Sequence, residues 1–111
     1  MRFLNNLYIG AGAQKTAEQI VEDVRSGRYV KDVYVLIEPL SEGNQIEVLQ
    51  SYYLRQRYYQ ETDPMILGVA KGKGEALDLV LQLTQEAVDR FGRPDLRAYV
   101  RYLAEGGDAL A

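Results

Sequence analysis

The sequence predicts an α/β fold, a small three-layer βαβαβα unit with a three-stranded parallel sheet and helices on both faces. Three observations carry that expectation. Two short runs, "VYVLI" at 33–37 and "MILGVA" at 65–70, are apolar throughout. Strands covered on both faces read this way, whereas half-exposed strands alternate. Segments with apolar residues at helical spacing separate or follow these runs. The intervening connections have the short lengths usual in α/β units.

The first element is a short strand at "LYIG", 7–10, and a helix follows. Ala17, Ile20, Val21 and Val24 share one side of that helix, with Glu18, Glu22 and Asp23 on the other. Gly27 stands where a left-handed C-terminal residue is wanted. "VYVLI" is the second strand. The segment "NQIEVLQSYYLRQRYYQ", 44–60, fits two patterns. Ile46, Leu49 and Tyr53 suit a helix face, while Ile46, Val48, Tyr52 and Leu54 also fall on alternate positions. Helix is preferred because Gln, Glu, Leu and Arg favour it and because a parallel sheet needs a crossover of about a dozen residues.

"MILGVA" is the third strand, and a long helix ends at Gly92. Its expected buried stripe is Leu77, Val80, Leu81, Thr84, Val88 and Phe91, widened by Ala76, Leu83 and Ala87. Glu86 and Arg90 are placed as a correctly ordered i,i+4 pair. In "RPDLRAYVRYLAEGG" a helix and a strand both fit, and helix is preferred, with Pro94 in its first turn. Right-handed crossovers then favour strand order 2-1-3. The domain spans 1–105, and 106–111 is read as a frayed tail.

Composition removes several functions. The 111 residues include no cysteine and no histidine, so thiolate chemistry, zinc–thiolate sites and imidazole base catalysis are excluded. No metal or cofactor is expected. A net charge of −3, with both signs interspersed, argues against nucleic acid as partner. No run of apolar residues approaches membrane-spanning length, and Asn5 and Asn6 interrupt the start as a secretory core. A cytoplasmic protein is expected.

The strand-to-helix stretch "YIGAGAQKT" opens with Gly10 and Gly12. A dinucleotide fingerprint needs a third glycine at position 15, where Lys15 stands, and a P-loop needs glycine at 9 and 14, where Ile9 and Gln14 stand. The loop is therefore read first as a turn. Its competitor is an anion held at the helix start with help from Lys15 and Thr16. Lys71, Gly72, Lys73 and Gly74 present the same choice at the long helix. In a parallel sheet both loops, with 38–44, would line one edge, where α/β ligands bind.

Tyr52, Tyr53, Tyr58 and Tyr59, mixed with Arg55 and Arg57, cannot all face inward from one helix. Tyr and Arg are favoured at interface hot spots. Two inward and two outward tyrosines form the plainer reading. A homodimer is the expected partner arrangement, since two sheet edges also need cover. Glu38 with Glu42, and Glu61 with Asp63, are the close acidic pairs, and Arg90, Arg93, Arg97 and Arg101 form a solvated stripe.

The stretch "ILGVAKGKGEALDLVLQLTQEAVDRFGRPDLRAYV", with its "GxAKGxxEALxLV" pattern, resembles a group of short bacterial proteins of no assigned activity. The resemblance implies a bacterial cytoplasmic protein and carries over no functional residue. The functions left open are a binding or protein-interaction module, holding a small anion or a partner, an enzyme using Lys or Glu on a phosphorylated or carboxylated metabolite, and a structural homo-oligomer.

Overall fold

The computed structural model describes residues 2–28, 30–40 and 45–106. Four strands form one mixed sheet: β1 (Arg2–Ile9), β2 (Val33–Ile37), β3 (Glu47–Gln50) and β4 (Met65–Lys71). The helices are α1 (Ala17–Ser26), α2 (Arg57–Thr62), α3 (Lys73–Phe91) and α4 (Leu96–Ala104). Short 3-10 helices lead into α1 at Ala11–Thr16 and precede α2 at Ser51–Arg55.

The α/β class holds, but the three-stranded parallel sheet of order 2-1-3 does not. The order is β1-β4-β2-β3. β1 and β4 are parallel, whereas β2 runs antiparallel to both β4 and β3. The error lies in 44–60. Its first part is strand β3, which pairs Glu47 with Ile37 and Gln50 with Tyr34. A hairpin needs only a short link, so the crossover that favoured a helix there is not required. The rest forms the 3-10 helix and α2. The two fully apolar runs are β2 and β4, the central strands, so their pattern reports position in the sheet, not parallel pairing.

Each sheet face buries its own cluster. On one, Leu36, Leu67 and Ala70 meet Leu79, Leu83 and Ala87 of α3 and Leu96, Tyr99, Val100 and Leu103 of α4. On the other, Val33, Val35, Ile37, Ile66 and Val69 meet Ile20 and Val24 of α1, with Leu54. Leu67 is the extra residue where the β2–β4 register shifts, since Leu36 pairs with Gly68 and Ile37 with Ile66. β1 is longer than the expected 7–10. Its register against β4 slips between Phe3 and Tyr8, leaving Asn5 and Asn6 exposed.

Two helix ends follow the sequence. Gly27 and Gly92 close α1 and α3 with φ of 75° and 77°, a region glycine enters without steric cost. The helix chosen for 94–104 is α4, but Pro94 precedes it. Asp95 caps it, accepting from the Ala98 N–H at 3.0 Å.

The long helix buries the flank of the expected stripe. Its widening residues Ala76, Leu83 and Ala87 are in the core, and Val80 and Phe91 pack against it. Leu79 and Glu86 join them in place of Leu77 and Leu81, which are 46% and 67% exposed. α3 carries two apolar stripes, and spacing alone does not choose between them. Contact with the sheet selects the one centred on Leu79 and Leu83: Leu79 reaches the backbone space at Gly68, where a Cβ would lie 3.3 Å from it. Among the described residues no helix is long and apolar enough to cross a membrane.

Candidate functional site

Because β1 and β4 are parallel neighbours, the loops that follow them share one edge. There Glu75, in the first turn of α3, folds its carboxylate back across both. Its Oε2 accepts from the Gly12 N–H at 2.8 Å and its Oε1 from the Lys71 N–H at 3.1 Å. A Cβ on Gly12 would collide with Glu75 Oε2. A Cβ on Gly10 would collide with Glu75 Oε1 and lie 2.9 Å from the Ala70 Cβ. The two glycines therefore make room for a carboxylate of the chain itself.

Gly72, at φ 87°, donates its N–H to the Asp32 carbonyl at 2.7 Å. Lys15, Thr16, Lys71, Lys73 and Gly74 are exposed along this edge. Segment 38–44 starts at the opposite end of the sheet, because β2 is antiparallel to β4. Glu38 there accepts from Arg2 at 2.9 Å and from the Met65 N–H at 2.8 Å. Glu42 and the remainder of 41–44 lie outside the described residues, as does the tail beyond Gly106. Among the described residues no group of three or more acidic side chains is placed to hold a metal ion.

The tyrosine-rich segment follows edge strand β3. It is two short helical pieces instead of one helix, pinned by buried Leu54. Tyr52 and Tyr53 stack with ring centres 4.2 Å apart, and Tyr58 meets Tyr59 edge-on at 5.0 Å. Within each pair one ring is half-buried and the other exposed, Tyr53 by 38% and Tyr58 by 51%. Partial burial, then the charge of Glu47, pushes the Tyr59 phenol above its ordinary value. Arg55 and Arg57 are exposed, and Arg57 pairs with Glu61 at 2.8 Å.

A third constellation was not anticipated. Glu86 is 7% exposed and does not pair with Arg90, which lies over the Tyr102 ring at 4.7 Å. Glu86 Oε1 accepts from the Tyr8 hydroxyl at 2.5 Å and the Tyr99 hydroxyl at 2.9 Å, and Oε2 from the Gln82 amide at 3.0 Å. One carboxylate thus ties β1, α3 and α4. Burial first, then the hydrogen bond to Glu86, pushes the Tyr8 phenol far above its ordinary value. A cleft of about 330 Å³ opens at this carboxylate, lined by Asn6, Leu7, Tyr8, Ile9, Gln14, Gln82 and Glu86.

The sequence did hold a signal for this group. Glu86 stands three residues after Leu83 and seven after Leu79, so a stripe centred on those leucines would have included it. Compared with family models, with curated proteins and with solved structures, the chain matches none of them.

Proposed function

We propose that this chain is a protein-interaction module that binds a second copy of itself through the segment from Tyr52 to Tyr59, beside edge strand β3. The observation that carries the reading is the paired arrangement of the four tyrosines. Each exposed ring, Tyr53 or Tyr58, rests on a half-buried one. A ring held in place before contact loses less freedom on binding, and Tyr and Arg together form the favoured hot-spot chemistry. The outer edge of β3 has no strand partner among the described residues. An antiparallel β3–β3′ pairing about a two-fold axis would satisfy it and bring the two tyrosine segments together.

The anion and metabolite readings have less support. The Gly12 and Gly72 N–H groups already donate to Glu75 and to Asp32, so an anion at Gly12 would have to displace a carboxylate. Exposed Lys15, Lys71 and Lys73 supply charge, but with those two N–H groups engaged they have less backbone to work with. A phosphate titration that responds to Lys73→Ala would restore this reading.

Sedimentation velocity over a concentration series tests the proposal. The wild-type chain is expected to dimerise, the Tyr53→Ala/Tyr58→Ala variant to remain monomeric, and Leu81→Lys, on the other exposed apolar surface, to dimerise as wild type. A wild-type chain that stays monomeric, or a dimer lost through Leu81→Lys and kept without the tyrosines, overturns it.

A further inference from the structure

We infer that the cleft beside β1 binds a small organic cation bearing N–H donors, a primary ammonium or a guanidinium, with Glu86 as its counter-charge. Glu86 is buried, and none of the ion pairs among the described residues includes it. Its three partners, Tyr8, Tyr99 and Gln82, are neutral donors. They position the carboxylate and satisfy hydrogen bonds, but they do not balance its charge. A charge taken from water without a counter-ion is costly, and a cation that reaches it recovers part of that cost.

The cleft wall narrows the ligand class. Oε1 already accepts two hydrogen bonds, while Oε2 accepts one and keeps acceptor capacity. The two glutamines at the mouth each turn an amide N–H inward, Gln14 to the Ile9 carbonyl at 2.8 Å and Gln82 to Glu86. That orientation leaves their side-chain carbonyl oxygens as further acceptors. Several acceptors around one negative charge suit a cation with two or three N–H groups. Leu7 and Ile9 also border the cleft, although both pack against the apolar cluster on the α1 face, so its lining is mainly polar. An anion would be repelled, and calcium would want about six to eight oxygen ligands, usually several of them carboxylate.

Titrations followed by side-chain NMR and by thermal shift test this with n-butylammonium and n-butylguanidinium. Tetramethylammonium, which has charge without donors, and butanol, which has a donor without charge, are the controls. Saturable binding of the first two, with a raised Tm and inert controls, is expected. Glu86→Gln should weaken binding about tenfold or more, the scale of a charge-assisted hydrogen bond. Should that variant not fold, Gln82→Met at the exposed mouth decides, with an expected loss of a few fold. Adding Nα-acetyl-lysine methylamide separates sources: binding equal to butylammonium points to a lysine side chain, and exclusion to a free amine. Absence of binding to either cation, tetramethylammonium binding equally well, or full affinity in a folded Glu86→Gln or Gln82→Met chain overturns the inference.

Discussion

The two faces of the sheet are held by different physics. Under α1 the contacts of Ile20, Val24, Val35, Ile37, Leu54, Ile66 and Val69 are apolar, non-directional and tolerant of small shifts. Under α3 and α4 an apolar cluster of similar make-up surrounds a carboxylate with two phenols on one oxygen. Such a network is worth most when complete and costs most when half-removed. The first face should therefore respond to substitutions one at a time, and the second as a unit.

The largest effect expected is Tyr99→Ala. The ring is fully buried and lies edge-on to Phe91 at 6.0 Å. Removing it costs about 3–5 kcal/mol and takes a donor from Glu86. In a domain with only about 5–15 kcal/mol in hand, that is a large share of the total, and urea titration should show a larger fall in midpoint than for any other single substitution named below. Ile66→Ala on the other face should cost about 2–5 kcal/mol and add to Val24→Ala within about 0.5 kcal/mol if their sites do not share a cavity.

Glu86→Leu sharpens the contrast. Alone it strands two buried hydroxyls, each worth about 1–3 kcal/mol. Combined with Tyr8→Phe it should recover part of that loss, so the double-mutant cycle shows a coupling of about 1–3 kcal/mol. Strict additivity would break the comparison. The same network predicts an alkaline limit. In the unfolded chain the Tyr8 phenol ionises near pH ~10, whereas in the folded chain burial and Glu86 hold the proton on. Its contribution is complete below pH ~10 and falls as pH rises further. Tyr8→Phe should flatten that part of the stability–pH curve.

What the sequence made legible follows the same division. Central strands β2 and β4, helices α1 and α3 and their glycine stops came from local pattern, which non-directional burial imposes. The adjacency of the glycine loops was also legible, because β1 and β4 are parallel. The pairing of 47–50 with β2 was not. Ile46, Leu49 and Tyr53 fit the helix period while Ile46, Val48, Tyr52 and Leu54 fit the strand period, and the choice depends on β2, ten residues earlier in the chain, offering an open edge. The Glu86 group was hidden for a related reason. A charged residue on a helix reads as solvent-facing until the two tyrosines that meet it, 78 residues apart on one side and 13 on the other, are known to converge.

Smaller effects come from the second glutamate of α3. Glu75 is half-buried at the rim, where water softens the loss of a hydrogen bond, so Glu75→Ala should cost only about 1 kcal/mol. Its two glycines then separate. Gly12→Ala in the wild type displaces the carboxylate and should cost about as much as Glu75→Ala. In the Glu75→Ala background the colliding atoms are gone, and the new methyl restricts the unfolded chain. Gly12→Ala should then stabilise by about 0.4–1 kcal/mol. Gly10→Ala should stay destabilising in both backgrounds, because the Ala70 Cβ and Cα, at 2.9 and 3.1 Å, belong to β4 and cannot swing away. Thermal melts of the six combinations check this. A Gly12→Ala that remains costly without Glu75 would mean that the turn itself, and not the carboxylate, demands glycine.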